Sequence, residues 1–491
     1  MLAPFRGVRY APERVSGMAE VTSPPYDVLG AAAAERLRSA DPHNVVRLTL
    51  PADGDGDGDG KAEPDSRYGV AAQTLRKWIA DGVLVPDPEA SLYVYEERAG
   101  EDAGSWRGTW PGLQRGLIGA IALASPAAGI VLPHEGVTPV VVADRRRLME
   151  ATGANLEPIF LVYQGGGPAS QLVDEVADTR LPTIEAVTDG VTHRLWTVTD
   201  PVRVAAAAAD LAERQAVIAD GHHRYAAYLE LRAQRHADGH GSGPWDYGLA
   251  LLVDLSAYPP RIDPIHRVIT DFPTATAAEL ARSAFTVRTL PRGIGLDAAL
   301  RALDDAGTAG EHAACGHTSS GDKSSGPTGR DGTGWDGTGW DRTAPDRRAP
   351  DRRAPDRRAG SRAIGRGTAF LLAGDGGYHL LTDPDPVKLA AAAPSGCSER
   401  WRRLDTSVLH ELLIREIWRI RDDQRAVHMV HNDAAAAIEA AAPGGTAVIC
   451  NPPEVAEVLA LAASGEQMPR KSTSFGPKPR TGLVIRSFAY G

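Results

Sequence analysis

The stretch that decides the reading runs Val217-Ile218-Ala219-Asp220-Gly221-His222-His223-Arg224-Tyr225. A short apolar strand ends, one glycine makes the turn, and a helix begins. Tyr225, Tyr228 and Leu229 then fall on one helix face. The free amides of a helix's first turn attract anions. Arg224 adds a planar fork suited to phosphate oxygens. Asp220 can hold a metal ion or take a proton. His222 and His223 are adjacent and cannot share one face, so one can enter a site while the other braces the turn. A purely structural alternative stands beside this: Asp220 caps the helix and the histidines are partly exposed polar residues.

Outward from this junction the chain alternates. Strands are predicted at 92–96, 117–123, 158–163, 194–198, 216–219 and 248–253, then at 368–372, 378–381, 447–450 and 482–485. Helices are predicted at 67–81, 144–152, 204–213, 224–236, 406–420, 434–441 and 453–463. Mixed order with hairpin-like pairs argues for an α+β (mixed α/β) fold, not a clean doubly wound sheet. No glycine-rich dinucleotide fingerprint or Walker-type loop occurs. Two low-complexity inserts interrupt the pattern. Residues 53–60 are a strict Asp-Gly alternation, without the spaced ligands and closing glutamate of a calcium loop. Residues 307–366 repeat Asp-Gly-Thr-Gly-Trp and then Pro-Asp-Arg-Arg-Ala, too poor in apolar surface to offset ordering. Both are expected to be disordered. The expected parts are 1–306, which carries the Asp-Gly-His-His-Arg box, the insert 307–366, and 367–491, packing on the first.

Composition narrows the function class. Of 491 residues, 43% are hydrophobic and 24% charged, enough for a core. The net charge of -10 makes a poor general binder of nucleic acid, although a site can be locally positive. Cys315, Cys397 and Cys450 are far apart and odd in number, so no disulfide framework or zinc spacing is visible. His312, Cys315 and His317 lack a fourth ligand, and the His236–His240 and His428–His431 spacings, which would suit a metal on a helix, lack a third. With no secretory signal and no membrane-length apolar stretch, a cytoplasmic protein is expected. A homodimer is allowed.

Three further clusters could carry chemistry. Leu132-Pro133-His134-Glu135 through Thr138, followed by Asp144-Arg145, offers a base and its orienting partner. Arg470-Lys471-Ser472-Thr473 and Lys478-Pro479-Arg480-Thr481 combine cations and hydroxyls into a phosphate cradle or a basic loop. Near the start, Arg6, Tyr26, Asp27 and Arg47 could line a pocket or pair with one another. The Pro24-Pro25 bond there is a cis candidate.

In order, Pro4-Phe5-Arg6-Gly7, Ser23-Pro24-Pro25-Tyr26-Asp27-Val28, Asn44-Val45-Val46-Arg47-Leu48, Pro133-His134-Glu135, the Asp220–Arg224 box and Lys471-Ser472-Thr473 resemble a bacterial and archaeal family, domain of unknown function 1015. The resemblance spans nearly all the chain outside the inserts. The Asp-Gly-His-His-Arg box also resembles the phosphate box of the ParB/sulfiredoxin-like superfamily, which includes free serine kinases. The resemblance implies a ParB/sulfiredoxin-like catalytic core and phosphorylation of free L-serine by pyrophosphate or ATP/ADP, with Mg2+. It would put Asp220, Gly221, His222, His223 and Arg224 at the donor, with Asp220 on the metal. His134 and Glu135 would fall near the acceptor hydroxyl. Lys471, Ser472, Thr473 and Lys478 would close the site, with Arg6, Tyr26, Asp27, Arg47, Asp144 and Arg145 on the substrate. Two positions depart from the pattern: Ser474-Phe475-Gly476 keeps one aromatic of a usual pair, and Ala143 replaces a lysine. The rival readings are a phosphate- or nucleotide-binding regulatory protein without turnover, and a metal-dependent phosphohydrolase.

Overall fold

The computed structural model describes residues 1–52, 66–100, 112–313, 366–375, 377–421, 426–442 and 444–491. Residues 53–60 and all but the ends of 307–366 lie outside the described residues, as do Cys315 and His317. The helix Leu296–Ala313 runs into the segment expected as the second insert.

The centre is a nine-stranded mixed sheet. Its order is Val131–Leu132, Ala216–Asp220, Ile159–Tyr163, Tyr247–Asp254, Leu113–Ala122, Leu92–Ala99, Val191–Val198 and Ile184–Thr188, with Leu2–Ala3 beside Leu113–Ala122. Ala216–Asp220 runs parallel to Val131–Leu132 but antiparallel to Ile159–Tyr163, which is itself parallel to Tyr247–Asp254. Successive side chains of a strand point to opposite faces, and the core divides accordingly. Ile159, Leu161, Ile218 and Leu252 pack with Leu172, Leu211, Tyr225 and Tyr228 of the helices on one face. Phe160, Val162, Val217 and Leu251 pack on the other face with Trp401, Leu461 and Phe475. Covering on both faces explains why these strands read as near-continuous apolar runs.

A second, six-stranded antiparallel sheet has the order Thr286–Thr289, Gly377–Thr382, Ala369–Gly374, Thr446–Cys450, Ile265–Ile269, Val427–His431. It draws strands from both sides of residues 314–365. The closing segment joins three places. Ser474–Gly476 pairs with Arg261–Asp263, Ile485–Ser487 pairs with Gly7–Tyr10, and Met468 bridges to Glu135.

Three local expectations are corrected. The last strand is Ile485–Ser487, not 482–485. His428 and His431 lie on the strand Val427–His431, so helical spacing does not apply to them. The cis bond among the described residues is Gly476–Pro477, and Pro24–Pro25 is not cis. No helix of the described residues is long and apolar enough to cross a membrane.

Candidate functional site

The strand Ala216–Asp220 is buried throughout, and the helix His222–Ala237 starts two residues after its end. Gly221 makes that connection at φ +97°, a conformation L side chains rarely adopt. A Cβ there would lie 2.8 Å from Ile159 Cγ2. Position 221 therefore demands glycine twice over.

Gly221 is the residue that precedes the helix, and no side chain caps it. The structural alternative for Asp220 thus fails, because its carboxylate is engaged elsewhere. Oδ2 accepts from Arg224 Nη2 at 2.6 Å and Oδ1 pairs with Lys478 Nζ at 2.5 Å. Lys478 also donates to Asp27 Oδ2 at 2.7 Å. Burial pushes the Asp220 carboxyl up, but Lys478 and Arg224 outweigh it and hold it below the usual range. Burial likewise pulls Lys478 and Arg224 down, and the carboxylates around them more than restore both. Arg224 is not a loose fork. Its Nη1 donates to the Pro158 carbonyl at 2.6 Å, and the side chain is buried.

This junction floors a cavity of about 440 Å3. Around it stand Tyr26 and Asp27, Glu135, Gly136 and Thr138, residues 219–224, His428, Met429 and His431 of the second sheet's edge strand, Arg470, Lys471, Thr473, Ser474 and Lys478. The first-turn amides of an uncapped helix and the ammonium groups of Lys471 and Lys478 therefore face one space. Lys471 makes no ion pair among the described residues, whereas Lys478 carries two carboxylates.

The histidines are tuned as neutral groups. Burial first, then His134, His223, Lys478 and Lys471, hold His222 well below its ordinary value. Burial and Lys471 lower His223. His222 Nε2 accepts the His134 amide at 3.4 Å, and His223 Nε2 accepts the Thr138 amide at 3.0 Å. A neutral imidazole accepting at Nε2 carries its proton on Nδ1, so each ring has a donor left to offer.

His134 and Glu135 both bond to the turn at Lys471–Thr473, Glu135 from the cavity wall. His134 is fully buried, does not line the cavity, and bonds Thr473 Oγ1 at 2.7 Å. Burial lowers its pKa. Glu135 grips the following turn: Oε1 accepts from the amides of Ser472 (3.0 Å) and Thr473 (2.9 Å) and from Thr473 Oγ1 (2.8 Å). Oε2 accepts the Lys471 amide at 3.3 Å. The turn it holds is strained, with Lys471 at φ +57°. From behind, the buried Arg267 donates to the Lys471 carbonyl at 2.8 Å. Glu135 thus fixes the backbone that carries Lys471.

Of the residues expected on the substrate, Tyr26 and Asp27 line the cavity, while Arg6, Arg47, Asp144 and Arg145 do not. Arg6 bonds the Asp87 carbonyl and Arg47 the Arg38 carbonyl. Asp144 holds Arg67, Tyr68 and Arg145. Arg145 reaches the site only through Tyr26, whose ring it covers at 4.2 Å. Ser472 is buried, its hydroxyl on the Pro469 carbonyl. The sequence reading missed His428 and His431 as cavity residues, as well as the buried Glu157, which accepts the Tyr26 amide at 3.0 Å. Burial raises the Glu157 pKa.

Magnesium does not fit as an ion held by Asp220. Both carboxylate oxygens carry cations, and no group of three metal-ligating side chains occurs among the described residues.

Several solved structures are similar at low identity. A mutant free serine kinase in complex with AMP has 13% identity and a TM-score of 0.32, over 74% of this chain and 90% of that one. A conserved hypothetical protein from Pyrococcus furiosus has 13% identity and a TM-score of 0.33, over 74% and 94%. Truncated SbnI from Staphylococcus aureus has 10% identity and a TM-score of 0.31, over 75% and 87%. No curated protein matches the chain. The model of the family described as "Protein of unknown function (DUF1015)" matches residues 2–407, well over half of the chain, which therefore belongs to that family.

Proposed function

We propose that the protein is a small-molecule phosphotransferase that passes a phosphoryl group from pyrophosphate or a nucleotide to the hydroxyl of free L-serine. The observation that carries this reading is the uncapped helix start at Gly221–Arg224, facing a cavity shared with Lys471 and Lys478. Phosphoryl transfer is mostly positioning and charge stabilisation, and this arrangement supplies both. The choice of serine rests on the motif resemblance alone.

In this reading the amides of residues 222–224, the His222 and His223 rings and Lys471 hold the donor's phosphate oxygens. Asp220 stays ionised beside Lys478 and Arg224, a weak base that accepts the serine proton late, once the hydroxyl oxygen has begun to bond to phosphorus. The proton moves to Asp220, the phosphorus–oxygen bond to the leaving group breaks, and phosphate (from pyrophosphate) or the shortened nucleotide (from ATP or ADP) departs with the electron pair. No step is routed through a metal held by the protein. Any magnesium in the reaction would come with the donor's own phosphates.

The test is purified protein with L-serine, magnesium and either pyrophosphate, ATP or ADP, followed by phosphorus NMR for O-phosphoserine. No product with any donor overturns the proposal. One observation favours a binding protein without turnover: Asp27, Asp220 and Glu135, the carboxylates of this cavity, are each engaged by cations or amides. Tight pyrophosphate binding with no product would select that reading.

A further inference from the structure

A second cavity, of about 340 Å3, shares Ser474 and Lys478 with the first. Its walls are mostly apolar, with Pro25, Val28, Val191 and Phe475 among them. Six ionisable groups that the proposed phosphoryl transfer does not use line it: Glu97, His193 and Arg480, the exposed Asp189, and Arg261 and Asp263, which pair with each other at 2.6 Å.

Among the described residues, Arg480 bonds only neutral oxygens. Nε donates to Thr22 Oγ1 at 2.7 Å, and Nη2 donates to the carbonyls of Thr22 at 3.0 Å and Ala19 at 3.3 Å. Burial lowers its pKa, as it must for a cation without a matching anion. The nearby acids do not remedy this. Asp189 is exposed, and Glu97 is buried in the strand Leu92–Ala99, across from His193 and Gln114. Burial pushes the Glu97 carboxyl up to about 8, so it is an uncharged acid at neutral pH. A guanidinium among neutral oxygens, a carboxylic acid with a proton to donate and an apolar wall together lack one thing, a ligand anion with an apolar body.

We propose that this second cavity binds a small monocarboxylate, whose charge is taken by Arg480 and whose apolar body lies against Val28, Val191 and Phe475. The inference is independent of the phosphotransferase reading. It carries a pH signature. Tyr95, His193, Gln114 and Arg480 face Glu97, with the Tyr95 hydroxyl 3.1 Å from Glu97 and 2.9 Å from His193 Nδ1. Burial and Arg480 hold His193 down to about 3, and burial holds Tyr95 far above neutrality. Glu97, pushed up to about 8 by burial, titrates between pH 6 and 9. Below about 8 it donates to the ligand, and above about 8 it repels it.

The experiment is calorimetric titration of the full chain with benzoate, using benzamide as a neutral counterpart of the same shape. Benzoate should bind and benzamide should not. Arg480→Gln should weaken benzoate at least tenfold. Affinity should fall at least fivefold from pH 6 to 9 in the parent and stay flat in Glu97→Gln, a variant that keeps the test alive if Arg480→Gln does not fold. Saturating inorganic phosphate should leave benzoate binding in place. Equal binding of benzamide, an unaltered pH profile in Glu97→Gln, or displacement by phosphate, which would put benzoate in the first cavity, overturns the proposal.

Discussion

Asp220→Asn separates a charged keystone from a helix cap. The carboxylate holds Lys478 at 2.5 Å and Arg224 at 2.6 Å, and Arg224 is buried. Removing one partner of a buried pair costs about 3–5 kcal/mol. Here the cost should fall at the low end, about 3 kcal/mol, because Lys478 keeps Asp27 and Arg224 keeps the Pro158 carbonyl. Asparagine matches the shape, so no cavity term is added. A capping aspartate would tolerate the change almost silently. The assay is urea unfolding followed by tryptophan fluorescence, beside the phosphoserine assay, in which turnover should drop at least about a hundredfold. The pH dependence has a definite sign. The folded Asp220 lies below its unfolded value near 3.8, so its contribution is present above that pH and is lost as pH falls through the lower folded value. The acid-side loss of stability should therefore be shallower in the variant. Together with Lys478→Met, a double-mutant cycle should give a coupling of at least about 1 kcal/mol. Unchanged stability in Asp220→Asn, or additivity with Lys478→Met, refutes the reasoning.

Lys471→Met should weaken pyrophosphate binding at least about tenfold yet change stability by less than about 0.5 kcal/mol, since Lys471 has no ion pair among the described residues to lose. Calorimetry and urea unfolding check both halves. Gly221→Ala should cost about 2 kcal/mol or more, from the positive φ and the approach to Ile159. Unfolding of that variant at the parental denaturant midpoint would contradict it. Glu135→Gln leaves part of the 471–473 turn without its acceptor, at about 1–3 kcal/mol. KM for the phosphate donor should rise more than kcat falls, as expected of a positioning residue.

The junction at 216–225 was legible because its signals are local: an apolar run, a glycine, then helical spacing. So were the strands 92–96, 158–163 and 248–253, whose burial on both faces leaves an apolar run. Strand Ile265–Ile269 was not, because it carries His266 and Arg267 at its centre. Arg267 tolerates full burial through the carbonyls of Ile265 and Lys471, and the latter partner is 204 residues away. The edge strand Val427–His431 hid behind a spacing that resembled a helical metal pair. Residue types singled out Tyr26, Asp27, Lys471 and Lys478, which line one cavity, but not their pairings. Arg6, Arg47, Asp144 and Arg145 look equally suited to a ligand on paper. What separates them is which oxygen each one reaches, and that is a property of the assembled sheets. Arg480 was legible as part of a basic cluster, but nothing local pointed to Glu97 as its neighbour in a second cavity.

The pairing of Asp220 with Lys478 also has a consequence in time. The two residues are 258 positions apart in the sequence. At about 5–20 residues per second on the ribosome, the carboxylate emerges roughly 13–50 s before its cation. For nearly all of that interval the nascent chain has the helix start and its histidines but neither Lys471 nor Lys478. Until the strand Ser474–Gly476 docks on Arg261–Asp263, Asp220 and Arg224 lack the ammonium group that completes their buried cluster.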